Sequence, residues 1–536
     1  MNKYLLAFLW LAGALTAAAQ PFDPIAGVRN YHVVWDSHSQ NSLGSMPIGN
    51  GDIGLNVWVE ENGDLQMYLS KTDSWSENAQ LLKLGKIRIK ITPNPFGKGM
   101  KFRQELDLVN GQIRIQAGGP GNEIRLTLWV DACQPVAEIQ FESQKPVVAE
   151  VILEPWRKAP RVMKDPEELP SVYGIQGNPE KPVVIDPDVF LPAKGNRLTW
   201  YHRNQRSIWT DNLALQGLGE WAKTHQDPLL NRTFGASVAG EGMKAVSDLQ
   251  LSSTRKVREG RISIYPLTTL TGSAEQWEAD LERQITGIGD LKITDRIKNH
   301  RAWWSRFWTR SYVFVGTEVP AEKAITESIT RGYILQRYIN ACGGRGKSPI
   351  KFNGTIFTVD TYNRSIRKGF DADFRLWGGP YWFQNTRLPY WSMLAAGDYD
   401  LMKPLFSMYL DALPVRKEAS KLYYGHGGAF FPETMYFWGT YNDENYGRNR
   451  KGMPDGLTQN TYIRYYWTSG LEMSQMMLEY FRQSSRVFAI SLGAPVTAGS
   501  PPIESAEYST DMYPRKPASA KILQTRSIST GALSSK

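Results

Sequence analysis

Ile124-Arg-Leu-Thr-Leu-Trp-Val130 decides the fold of the first half of the chain. Apolar and polar residues alternate along it with a period of two, the pattern of a strand with one face on a core and one in solvent. Ile53-Gly-Leu-Asn-Val-Trp-Val59 and Lys86-Ile-Arg-Ile-Lys-Ile-Thr92 repeat the pattern. Between such strings stand Gly63-Asp64 and Asn110-Gly111, residues suited to hairpin turns. So many short strands from about Tyr31 to Leu270 predict stacked antiparallel sheets, a large β-sandwich.

The period changes near Ser273. Ala274 to Ile285 and Ile293 to Trp308 carry helical spacing, and Trp303, Trp304, Phe307 and Trp308 cluster on part of one turn. That stripe predicts a linker helix packed against a neighbouring domain. Further helices are predicted over Glu322 to Ala341, Leu388 to Ala396, Leu401 to Leu413 and Tyr462 to Arg482. The loops 342–387 and 423–461 between them are longer than a compact domain carries without a use for them. From Gln483 the text changes again: 54 residues hold 11 Ser, no Trp, and Pro495, Pro501, Pro502, Pro514 and Pro517. A disordered or aberrant tail is the expectation for 483–536.

At 536 residues the chain has length for two to four domains. Its hydrophobic content of 41% and charged content of 21% exclude a disordered or coiled-coil protein. The net charge of +9, from 62 basic and 53 acidic residues, forms no long run, so no nucleic-acid partner is expected. Two cysteines, Cys133 and Cys342, exclude a disulfide scaffold and a cysteine-rich zinc site. Six scattered His without a His-Glu-x-x-His pair give no metal site, and no P-loop or Gly-x-Ser-x-Gly elbow appears, so no cofactor is expected. The 18 Trp, 25 Tyr and 20 Phe suit either sugar-stacking surfaces or a large aromatic core. At the N-terminus Met1-Asn2-Lys3 precedes an apolar run from Tyr4 to Leu15 and the small residues Thr16 to Ala19. This reads as a signal peptide over 1–19, too short for a membrane span, and predicts a periplasmic or extracellular protein.

Five strings carry a resemblance. Ser45-Met-Pro-Ile-Gly-Asn-Gly-Asp-Ile-Gly54, Gln104-Glu-Leu-Asp-Leu-Val-Asn-Gly111 and Asn385-Thr-Arg-Leu-Pro-Tyr-Trp391 resemble elements of glycoside hydrolase family 95, the α-L-fucosidase-type inverting enzymes. In the third, Asn385 matches the second Asn of the family element, whereas Phe383 replaces the first. Asp73-Ser-Trp-Ser-Glu77 and Gly425-His-Gly-Gly-Ala-Phe-Phe-Pro-Glu-Thr434 look closer still to an exported bacterial family known as a domain of unknown function and grouped with those glycosidases. The resemblance spans about Val34 to Arg482. It implies a β-sandwich over 20–272, a helical linker over 273–312 and an (α/α)6 barrel of the six-hairpin glycosidase kind, acting on a glycan. About four barrel helices are counted in 313–482 where twelve are needed, so the barrel is expected to be partial.

Inverting glycoside hydrolysis needs a protonated carboxyl at the leaving oxygen and a base for water on the opposite face. The long loops offer Asp371, Asp373, Glu433, Asp443 and Glu444. Glu433 follows the apolar run Ala429-Phe-Phe-Pro432, and burial there would raise its pKa as an acid requires, so it is the expected catalytic residue. Its alternative is a structural ion pair. Asp371-Ala-Asp-Phe-Arg-Leu-Trp-Gly-Gly-Pro-Tyr-Trp382 mixes carboxylates, an Arg and rings. Asp371, Asp373, Trp377, Trp382, Asn385, Arg387 and His426 are the expected sugar-binding residues; helix capping is the alternative for the two Asp. In family 95 the base is an Asn activated by a distant Asp, and that Asp and the acid both lie late in the barrel. The expectations are therefore a hydrolase of terminal sugars on plant or host glycans, a non-catalytic carbohydrate-binding protein or inactive truncated glycosidase, and a phosphorylase or lyase on the same architecture.

Overall fold

A computed structural model describes residues 22–484 except Gly177, Pro179 and 364–367. The expected export signal and all of the expected tail after Ser484 lie outside the described residues. Gln483 and Ser484 complete the helix Thr468–Ser484.

The alternating strings become strands of two antiparallel sheets that share one long strand, Ala137–Leu153. Its first half pairs with Ile124–Val130 and Val257–Leu270, placing Ile139 opposite Leu128 and Ile262. Its second half crosses to the other sheet, where Val151 lies opposite Ile89 and Leu251. One sheet continues outward through Phe102–Asp107 and Gln112–Ala117 on one side and Arg232–Gly240 and Arg197–Arg203 on the other. The other continues through Leu81–Thr92, Leu65–Trp75, Ile53–Val59 and Met46–Gly49. Ile124, Leu126 and Leu128 are buried while Arg125 is exposed, as a period of two requires. Gly63 and Gly111 make the expected turns with φ of 82° and 57°.

Ile53–Val59 departs from the half-buried expectation, since every residue of it is buried. The chain around Ile356 and Phe357 covers its outer face. Asn56 donates to the Phe357 carbonyl at 3.2 Å, and a Cβ on Gly54 would lie 2.7 Å from both Ile356 and Phe357. Alternation marks a face that could be wet; it does not say whether another segment lies over it.

The linker helices are Ala274–Gly289 and Ile293–Arg310. The aromatic stripe packs as expected. Trp308 donates to the Leu108 carbonyl at 2.8 Å, His300 meets the Asn110 carbonyl at 2.7 Å, and Trp304 stacks on Tyr338 with centroids 5.3 Å apart. Tyr338 belongs to the next helix, Lys323–Gly343, so the linker is clamped between sandwich and helical region. Beyond it come Leu388–Ala396, Tyr399–Tyr424 and Thr468–Ser484. Tyr399–Tyr424 runs past Pro404 and Pro414, where the sequence suggested a stop at Leu413. The last helix starts at Thr468, six residues later than its pattern suggested. Among the described residues no helix is long and apolar enough to cross a membrane.

The two long loops are stitched together. Tyr381–Trp382 in the first pairs with Thr434–Met435 in the second, with Trp382 opposite Thr434. This short ladder brings Glu433 beside Phe383 and the helical turn Phe383–Thr386.

Candidate functional site

Glu433 is 4% exposed, and its backbone carbonyl accepts from the Phe383 amide at 2.7 Å. One carboxylate oxygen accepts from the Gln384 amide at 3.3 Å and the other from the Thr434 hydroxyl. Among the described residues no Lys or Arg pairs with it, so the ion-pair alternative is not realised. Burial pushes its carboxyl above the usual range, against the pull of those two hydrogen bonds. Nearby, Trp382 packs between Tyr173 and Phe352, with ring centroids 5.2 and 5.7 Å away. The Tyr173 hydroxyl donates to Asn445 at 3.1 Å, and the charges of Glu444 and Glu433 both raise the phenol's pKa, behind burial as the main cause. Tyr173 comes from the sandwich half of the chain, a contribution that no local pattern around it announced.

The other expected sugar-binding residues are dispersed. Asn385 is exposed, one residue beyond the amide that holds Glu433. Arg387 approaches Glu472 at 3.4 Å, and the same carboxylate accepts from Trp391 at 2.9 Å, tying this turn to the last helix. Trp377 is 49% exposed and held at a φ of 56°, a left-handed conformation uncommon for a bulky residue. His426 is exposed on its glycine-rich loop, with its Nδ1 2.6 Å from the Gly427 carbonyl.

Asp371 and Asp373 lie together against the sandwich. Asp373 is buried and accepts from the Lys83 amide at 2.7 Å, Trp156 at 2.6 Å and Arg157 at 2.6 Å. Asp371 accepts the Asp373 amide at 3.1 Å; neither Asp caps a helix. Burial first, and the neighbouring Asp373 charge second, push the Asp371 carboxyl up to about 7.

Arg157 extends this contact into a buried charge chain. Its Nε meets Asp188 at 2.9 Å, and His202 bridges Asp188 at 3.1 Å and Glu77 at 3.0 Å. Glu77 ends the Asp73-Ser-Trp-Ser-Glu77 string, so part of that motif's chemistry is structural. The Asn50 side chain of the Ser45–Gly54 string is likewise a brace: it donates to the Asp131 carbonyl at 2.8 Å and accepts from the Ile53 amide at 2.8 Å.

Sequence reasoning missed a cavity of about 470 Å³ between the sandwich and the helix Tyr399–Tyr424. Trp75, Trp209, Trp438 and Arg232 line it from four separate parts of the chain. The Trp of the Asp73–Glu77 string was the one signal pointing there.

Comparison with solved structures finds a protein assigned as a kojibiose phosphorylase from human microbiome, at 11% identity and a TM-score of 0.44, over 86% of this chain and 56% of that one. A bacterial glucoamylase complexed with acarbose matches at 8% identity and a TM-score of 0.33, over 76% of this chain and 56% of that one. The chain thus spans just over half the length of either protein. No curated protein sequence matches significantly. The profile of a domain of unknown function, DUF5703, matches residues 34–313, which takes in the Ser45–Gly54 and Asp73–Glu77 strings, both sheets and the linker helices. More than half of the chain is accounted for by that match, and the protein belongs to the DUF5703 family.

Proposed function

We propose that this protein acts on glycans as an exported glycoside hydrolase-like protein, with Glu433 as the proton donor to the leaving glycosidic oxygen. The observation that carries the reading is the state of Glu433. It is a buried carboxyl without a cationic partner among the described residues, raised in pKa by burial, beside the packed rings of Trp382 and Tyr173. Such a carboxyl holds its proton to higher pH than an exposed glutamate does and can deliver it as the bond breaks. Aromatic faces beside it suit the apolar faces of a sugar ring. Asn385, one residue past the amide that binds Glu433 and matched by the resemblance to an element at the barrel mouth, is a sugar-binding residue in this reading, and inversion is the expected outcome. Terminal sugars of plant or host glycans, periplasmic or extracellular action and a partial six-hairpin barrel complete the proposal.

A second reading has its own support. Glu433 is nearly closed off from solvent, and the described residues place no second carboxylate in contact with it, a geometry that also suits a protein that binds glycan without cleaving it. The test is expression of residues 20–536 and a screen of aryl glycosides, α-L-fucosides included, with and without phosphate. Turnover that Glu433→Gln abolishes while thermal unfolding is unchanged is the expected result. Because the active form is protonated, the rate falls as pH rises through the raised pKa of Glu433. Full activity in Glu433→Gln would remove the assignment; glycan binding without release of reducing sugar would leave the second reading. Turnover only with phosphate would make the enzyme a phosphorylase.

A further inference from the structure

The cavity between sandwich and helical region has walls fixed before any ligand arrives. Trp75 is buried, donates to the Ser348 hydroxyl at 2.9 Å, and packs on Phe437 with centroids 5.1 Å apart. Trp438 is buried and donates to Asn212 at 3.2 Å. At the rim Trp221 and the His225 ring stack 3.5 Å apart. Side chains held this way form a fixed apolar wall at little entropic cost on binding, with Trp75 behind it and Trp438 and Trp221 keeping some accessible surface.

The polar lining is unbalanced. Arg232 donates through Nε to the Pro228 carbonyl at 2.9 Å and through Nη1 to the Asp73 carbonyl at 3.2 Å. Both acceptors are neutral; among the described residues Nη2 has no acceptor and no carboxylate pairs with the guanidinium. Burial depresses its pKa, and the charges of Asp73 and Asp227 offset that only in part. A desolvated cation without a paired anion is costly, so an anionic ligand gains there. Lys347 and Asp411, both exposed and both without an ion pair among the described residues, line the same cavity. Among the described residues the lining therefore carries two cations without a carboxylate partner, Arg232 and Lys347, against one carboxylate without a cationic partner, Asp411.

We propose that this cavity binds a pyranose-sized sugar ring bearing a carboxylate, a hexuronate unit. Arg232 and Lys347 take the carboxylate, Asp411 accepts from ring hydroxyls, and the indoles cover the ring faces. The volume of about 470 Å³ falls in the range of small-molecule sites. Asp411 decides between a sugar acid and a plain aromatic acid of similar size. Its carboxylate rewards hydroxyl donors, and it only repels a ligand that has none. Glu433 does not line this cavity, and the proposal does not depend on the assignment of that residue.

The test is a titration of the full chain, followed by tryptophan fluorescence and calorimetry, with D-glucuronate, D-glucose and benzoate as probes. Saturable glucuronate binding with a Kd on the order of 1 mM or tighter is expected, with glucose and benzoate each roughly tenfold weaker. Lys347→Gln and Arg232→Gln each weaken glucuronate roughly tenfold and leave glucose unchanged. Lys347 is on the surface, so its variant stays informative if Arg232→Gln does not fold. Asp411→Ala weakens glucuronate and glucose alike. Equal binding of glucose, tighter binding of benzoate, an unaffected Lys347→Gln, or no glucuronate binding would each overturn the proposal. Glu433→Gln should leave all of these affinities in place, so the two assignments fail independently.

Discussion

Replacing Asp373 with Ala separates the role its position suggests from the sugar-binding role expected of it. In the fold its carboxylate holds the Lys83 amide, the Trp156 indole and the Arg157 guanidinium, all within 2.7 Å. The side chains of the ion pair are 3% and 6% exposed. Truncation removes the acceptor from three donors: the buried Lys83 amide, the partly buried Trp156 indole and the buried, charged Arg157. Arg157 keeps Asp188 at 2.9 Å and the Lys83 carbonyl at 2.8 Å, which softens the loss. Breaking a buried pair from one side costs about 3–5 kcal/mol, so a loss of about 4 kcal/mol is expected. With a urea slope of about 3 kcal/mol per M for a unit of this size, the midpoint falls by roughly 1.3 M. Equilibrium unfolding in urea, read by tryptophan fluorescence, measures it. A shift smaller than about 0.3 M together with lost glycan binding would refute the anchor role and restore Asp373 as a ligand contact.

His202 supplies a pH dependence. Burial disfavours its charge, but hydrogen bonds to Asp188 and Glu77 prevail and lift its pKa to about 9, above its ordinary 6.5. A raised histidine stabilises fully below about 6.5 and loses that contribution as pH rises through about 9, a term on the order of 3 kcal/mol. Thermal midpoints measured from pH 6 to 10 should fall across this window in the wild type, and His202→Gln should flatten the fall; equal slopes would refute it. Gly111→Ala places a Cβ 2.1 Å from the Trp304 indole at a φ of 57°, so hairpin and linker helix must separate. A loss of about 3 kcal/mol or more is expected in the same urea assay, and a neutral result would mean that the Trp304 contact is dispensable.

Part of the candidate site was legible in the residues alone. The Ala-Phe-Phe-Pro run before Glu433 announced a buried carboxyl, because burial of a loop residue follows from the apolar residues that carry it inside. Asn385 stood out through its string, and the fold sets it one residue past the amide that holds Glu433. Tyr173 and Arg232 could not be found in the same way, and Trp75 was marked by its string but not by its place in the fold. Each looks like an ordinary strand or turn residue, and its partners lie far away in the chain: Tyr173 meets Trp382, Trp75 meets Phe437, and Arg232 sits over the Phe437 ring at 5.7 Å.

Local pattern was sufficient for the alternating strands, the two glycine turns, the helical stripe of Trp303 to Trp308 and the change of architecture near Ser273. These depend on the period of the backbone and on φ preferences, which neighbouring residues set. Only the tertiary structure decided that Ile53–Val59 is covered on both faces, that Asp373 is clamped by Arg157, and that the two long loops pair through Trp382 and Thr434. Those outcomes depend on which distant surface arrives to exclude water. Desolvation also decides whether a carboxylate is a solvated binder, a buried acid or half of an ion pair.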